Sequence, residues 1–140
     1  NVRVISVDLP VHTARDAYQA PAVRWLQQYY GAHRLLLLQG SSTRILPALG
    51  STSLARRCDL VSVDGGHATP TAIADMLNFA KLARPGALMI ADDCNSKLQG
   101  GRVGPYRAFG QVTSSGLVQY VGDVNFTDGT NRRVCIGRYV

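Results

Sequence analysis

Four residues in two short segments have the types and spacing to do chemistry together: Asp64 and His67 in VDGGH, and Asp92-Asp93 in IADDC. Each segment directly follows an apolar run that reads as a strand, LVSV before Asp64 and ALMIA before Asp92. If those strands are neighbours they lie about 4.8 Å apart, and three carboxylates converge on a small space. Carboxylates that close oppose joint ionisation, and a divalent cation is the simplest relief. Hard oxygen donors favour Mg²⁺ or a similar ion over zinc. Asp64, Asp92 and Asp93 are therefore candidate metal ligands. His67, in the same loop as Asp64, carries an imidazole whose ordinary pKa of about 6.5 suits a general base beside such an ion. Taken singly, each Asp could equally cap a helix or close a turn, and His67 could be a structural hydrogen-bonder.

Alternating elements must position these groups. Val2 to Asp8 reads as a strand, and Pro21 to Tyr30 as a helix with Ala22, Trp25, Leu26 and Tyr29 on one stripe, stopped by Gly31. His33 to Gln39 is a strand apolar on both faces, as covered parallel strands are. Thr43 to Leu49 is a short helix interrupted by Pro47, and Asp59 to Asp64 the next strand. Thr69 reads as the N-cap of a helix with Pro70 at its first position and Ile73, Met76, Leu77 and Ala80 on its apolar stripe. Ala87 to Asp92 is a strand, and a glycine-bearing loop leads to a helix around Tyr106 to Val112. The chain ends in a hairpin, Val118 to Phe126 and Arg132 to Val140, about an Asp128-Gly129 turn. Strands alternating with helices imply an α/β fold, mainly parallel, with helices on both faces. Its strands end on one rim, where ligands of open α/β sheets bind. Asp8, Gly40-Ser41-Ser42, Asp64 to His67 and Asp92-Asp93 all fall on that rim.

Composition narrows the class. The chain has 140 residues, 46% hydrophobic and 17% charged, the balance of one compact globular domain over 1–140. Its net charge of +6 comes from 13 Arg and 2 Lys against 9 Asp and no Glu. The arginines are scattered, with adjacent pairs only at Arg56-Arg57 and Arg132-Arg133, which speaks against a nucleic-acid partner. Cys58, Cys94 and Cys135 are widely spaced with no C-x-x-C. They are expected to be buried or half-buried thiols in a reducing compartment, not a disulfide framework or a zinc site. No apolar run approaches the roughly 20 residues that span a bilayer, and the start reads as a strand, not a signal peptide. Cytoplasmic is the default expectation, with no membrane partner. An acidic phosphoacceptor rim is set aside, because it needs its acidic pair before the single Asp, and here the order is reversed.

These segments together resemble the class I S-adenosylmethionine-dependent methyltransferases, from the second strand of their sheet onward. More narrowly, the chain is similar to metal-dependent O-methyltransferases of the catechol and sugar types. The resemblance covers nearly the whole chain and implies a Rossmann-like sheet ending in an antiparallel hairpin. It assigns Asp8 in VISVDLP to the ribose hydroxyls of the cofactor, and Gly40, Ser42 and Thr43 in LLLLQGSSTR to the adenine side. It assigns Asp64 to cofactor and metal, His67 to the base, and Asp92 and Asp93 to the rest of the metal site. The family's first strand and its glycine-rich loop should precede Asn1, so an N-terminally incomplete domain with a central gap in its sheet is expected. Gly100-Gly101 and Gly104 are read as loop or substrate lid, not as that cradle.

The implied function is methyl transfer from S-adenosyl-L-methionine to a hydroxyl of a small molecule, dependent on Mg²⁺ or a similar ion. Tyr106 and Arg107 either line the acceptor pocket or are plain surface residues. The open edge left by a missing strand would let the chain associate with a copy of itself. The alternative is a non-catalytic interaction module that keeps the fold and has lost the cofactor. Clustered Asp64, His67, Asp92 and Asp93 disfavour that alternative, and the absent glycine loop favours it.

Overall fold

The computed structural model describes residues 3–9, 19–95, 103–127 and 132–140. The chain divides into two compact units, Asn1–Ile45 and Leu46–Val140. Each is described by itself.

The first unit is built on two parallel strands, β1 (Val4–Asp8) and β2 (Leu35–Gln39), in register from Val4 opposite Leu35 to Asp8 opposite Gln39. Helix α1 (Gln19–Tyr30) ends where Gly31 takes a φ of 94°, a left-handed turn that a side chain would strain. The N–H of Gly31 closes on the carbonyl of Gln27 at 2.9 Å. A 3-10 turn, Ala32–Arg34, then feeds β2, so the strand begins two residues later than the apolar run suggests. No residue of this unit whose burial is described is fully buried.

The second unit carries the core. β3 (Cys58–Val63) pairs in parallel with β4 (Ala83–Ala91), and the antiparallel strands β5 (Val118–Asn125) and β6 (Arg133–Tyr139) complete the order β3-β4-β6-β5. Strand alternation sends Val61, Val63, Ala87, Met89, Ala91, Cys135 and Tyr139 to one face. Helices α3 (Thr69–Leu82) and α4 (Gly104–Ser114) supply Ala72, Met76, Ala108, Phe109 and Val112 to the same core. On the other face the register partners Leu60 and Leu88 are exposed. Met76 and Met89 are completely buried, each such side chain contributing about 1.5–3 kcal/mol. The buried hydroxyl of Tyr139 donates to the carbonyl of Met76 at 2.9 Å, which satisfies a polar atom that burial would otherwise penalise.

The six strands described form two sheets that share no strand. Local details differ from expectation. Helix α2 (Ser42–Gly50) runs through Pro47, which forgoes one backbone hydrogen bond without ending the helix. Thr69 is the first helical residue of α3, not its cap; Ala68 holds the cap position with no side-chain bond. The apolar stripe of α3 is rotated, with Ala72, Asp75 and Met76 inward and Leu77 half exposed. β4 starts at Ala83, so Pro85 and Gly86 lie in the strand, beside the irregularity between Cys58 and Leu60. Gly104 is no loop residue: it is the buried first residue of α4. Gly100, Gly101 and the Asp128-Gly129 turn lie outside the described residues.

Candidate functional site

Parallel pairing brings the ends of β3 and β4 together. Val63 stands opposite Ala91, and the N–H of Asp92 extends the ladder by donating to the carbonyl of Val63 at 3.0 Å. Asp64 and Asp92 therefore leave adjacent strand ends. Beyond Asp92 the chain turns sharply: Asp93 has a φ of 50°, uncommon for a residue with a side chain. The N–H of Cys94 then donates to the carbonyl of Arg133 at 2.8 Å, tying the segment to the start of β6.

This turn aims Asp93 at the neighbouring loop. Its Oδ2 lies 3.1 Å from Nε2 of His67, with the two side chains 19% and 30% exposed. The pair is thus half sheltered. A carboxylate on one ring nitrogen fixes the orientation of the imidazole.

The loop that carries His67 is packed through its glycines. A Cβ on Gly65 would meet Asp75 Oδ2 at 3.0 Å, and one on Gly66 would meet Thr71 Cγ2 at 2.8 Å. A Cβ on Gly104 would fall 1.8 Å from the backbone carbonyl oxygen of His67. Asp75, only 2% exposed, is a residue that sequence reasoning did not single out, and Gly104 was read there as a loop or lid glycine. An Asp at a position where the helical period demands an apolar residue was the available signal for Asp75.

In the first unit, Asp8 closes β1. Its backbone carbonyl accepts the N–H of Gly40 at 2.7 Å, and its Oδ1 accepts the N–H of Leu9 at 2.8 Å. Gly40 turns with a φ of 150°, and the carbonyl of Ser41 accepts the N–H of Ile45 at 3.0 Å, opening α2. The hydroxyls of Ser41 and Thr43 are 2.8 Å apart. Asp8, Gly40 and Ser42 are half-buried and Thr43 is exposed, so this strand end offers a carboxylate and hydroxyls beside a tight glycine turn.

The expected gathering of three carboxylates is not what the side chains do. Among the described residues, no three His, Cys, Asp or Glu side chains stand close enough to hold a metal ion. Asp93 has turned to His67. A divalent cation does not fit these donors as they stand, and no step below runs through one. The cysteines also depart from expectation. Cys94, directly after Asp93, is joined to Cys135 of β6 in a buried disulfide. Cys58 remains a half-buried thiol, its pKa raised first by burial and then by the adjacent Asp59 charge.

Residues 1–94 match a family model described as a methyltransferase domain, about two thirds of the chain. The chain belongs to that methyltransferase family. No curated protein matches it closely enough to count as a relative. Among solved structures, it is similar to an O-methyltransferase from Bacillus cereus in complex with S-adenosylhomocysteine, at 16% identity and a TM-score of 0.71, over 97% of this chain and 62% of that one. The TDP-rhamnose 3′-O-methyltransferase of calicheamicin biosynthesis aligns at 15% identity and a TM-score of 0.66, over 97% of this chain and 57% of that one. A fibrillarin pre-rRNA processing protein from Methanococcus jannaschii aligns at 10% identity and a TM-score of 0.65, over 98% and 56%. The domain therefore spans 56–62% of the length of these three structures. At such identities the likeness establishes the α/β Rossmann-like methyltransferase fold with its C-terminal antiparallel hairpin. Among the described residues, no helix is long and apolar enough to cross a membrane.

Proposed function

We propose that the protein transfers a methyl group from S-adenosyl-L-methionine to a hydroxyl oxygen of a small molecule, with His67 as the base. The observation that carries this reading is the His67–Asp93 pair at the joined ends of β3 and β4.

Nε2–H of His67 donates to Asp93 Oδ2, which leaves the Nδ1 lone pair to take a proton. As an acceptor hydroxyl loses its proton to Nδ1, Asp93 stabilises the imidazolium that forms. A base so placed contributes typically about 10²–10⁴ in rate. The cofactor's residues are read as Asp8, Gly40, Ser42, Thr43 and Asp64. Asp8 fits the role chemically, since a half-buried carboxylate accepts hydrogen bonds from a vicinal diol such as ribose. When bound, the cofactor supplies an electrophilic methyl carbon: the new C–O bond forms as the C–S bond breaks, and a neutral thioether leaves.

Asp92 stays in this proposal as a polar neighbour of the pair. Mg²⁺ dependence was expected of the Asp64, Asp92 and Asp93 set; among the described residues no three such donors stand together, and Asp93 faces His67 instead. The small-molecule acceptor is supported by the scattered arginines and by the nature of the calicheamicin neighbour. The test is transfer of isotopically labelled methyl from S-adenosyl-L-methionine to a panel of phenols, catechols and sugars, with RNA alongside. Labelled small-molecule product, reduced at least tenfold by His67→Ala, is the expected result. Label in RNA alone, or full turnover by His67→Ala, would overturn the proposal.

A further inference from the structure

Helix α4 begins at Gly104, beyond the family match, which ends at residue 94. Yet its first residue touches the main chain of the proposed base. A Cβ at Gly104 would lie 1.8 Å from the carbonyl oxygen of His67 and 2.8 Å from both the His67 carbonyl carbon and the N–H nitrogen of Thr69. All three are backbone atoms, so no side chain can swing aside to make room. We propose that Gly104 is a positioning residue for His67: its bare Cα lets α4 seat on the backbone of the VDGGH turn, and that seat holds the imidazole against Asp93.

Two observations support a seat over a chance contact. The turn is also packed against α3, where Asp75 Oδ2 and Thr71 Cγ2 stand 3.0 and 2.8 Å from the Cβ positions of Gly65 and Gly66. The requirement is also local to the contact. Gly110, on the same helix, has nothing within 4 Å of its Cβ position, so α4 as a whole is not confined to glycine. An alanine at 104 must widen its spacing to the His67 carbonyl from 1.8 to at least 3.0 Å. The His67–Asp93 contact, at 3.1 Å, lies close to the outer limit of about 3.2 Å for an N–H···O bond and has little slack to absorb such a movement.

The inference rests on His67 being the base, but its readout is the imidazole's own resonance, not turnover. Failure of Gly104 as a positioning residue and failure of His67 as a base are thus told apart. The experiment records ¹H–¹⁵N ring correlations of the full chain, with the His67 signal assigned by its loss in His67→Ala. Asp93→Asn marks the position of an imidazole lacking its carboxylate. Gly104→Ala is expected to displace the His67 signal most of the way to that mark, while Gly110→Ala leaves it at the wild-type position. A folded Gly104→Ala protein with a wild-type His67 signal would overturn the proposal. If Gly104→Ala does not fold, Gly65→Ala decides, because its methyl meets only the Asp75 side chain and loads the turn without touching α4. A displaced His67 signal supports the seat. An unchanged one means the turn is loose enough to absorb a methyl group, and the proposal falls.

Discussion

The two units divide the proposed chemistry unequally. Residues 3–45 offer Asp8 and the Gly40 turn on a two-stranded sheet with no fully buried residue among those described, and Trp25, Tyr29 and Tyr30 are more than half exposed. Residues 46–140 hold the His67–Asp93 pair on a four-stranded sheet packed around Met76, Met89, Val118 and Phe109. A two-stranded sheet is marginal alone. On the proposed reading, the contrast teaches that proton transfer would be built into a rigid frame, whereas cofactor recognition would sit where fewer side chains are buried and ordering by a ligand has more to add.

Truncating a core residue should expose the contrast most strongly. Met89→Ala empties a completely buried position and is expected to cost about 2–5 kcal/mol in urea unfolding. Trp25→Ala, at a position 59% exposed, should stay within about 0.5 kcal/mol. Equal losses would mean that the first unit has a core of its own.

The disulfide comes next. It closes a loop across a separation of 41 residues, and chain entropy puts its stabilisation at about 4 kcal/mol, with about 2–4 typical in practice. Cys135→Ser should lower the melting temperature of the second unit and leave hydrogen exchange in β1 and β2 unchanged. Equal acceleration of exchange in both units would contradict the division.

Asp123 provides the smallest effect. Arg133 and Tyr120 hydrogen-bond its carboxylate and hold its pKa below the usual range, the arginine most strongly. A depressed folded pKa adds stability above the unfolded value of about 4, and that stability is lost as pH falls through the folded value. Asp123→Asn should therefore lower the melting temperature slightly at neutral pH and leave it nearly unchanged at low pH, which flattens the acid limb of the profile; the loss is small because the ion pair is only part-buried. A flattening on the alkaline side would give the wrong sign.

What the sequence disclosed, and what it withheld, follows the same physical line. Strand ends were readable, because Asp8, Asp64 and Asp92 each terminate an apolar run, and the VDGGH and IADDC spacings are local. The partner of Asp93 was not, because it depends on a left-handed turn at a residue that carries a side chain. The Cys94–Cys135 bond was equally hidden: it follows from the β4–β6 register, which sets Ala91 opposite Cys135, and no local spacing encodes that. Gly104 looked like one more loop glycine, since the carbonyl that forbids its Cβ belongs to a residue 37 positions away.

On the proposed function, the protein uses S-adenosyl-L-methionine through the strand end at Asp8. Calorimetric titration with S-adenosylhomocysteine tests it most directly, run on the wild type and on Asp8→Ala with and without Mg²⁺. Binding by the wild type, weakened at least tenfold by Asp8→Ala (about 1.4 kcal/mol or more) and unaltered by Mg²⁺, is the predicted result. A folded wild-type protein that binds no S-adenosylhomocysteine, or one that Asp8→Ala leaves unchanged, would contradict it.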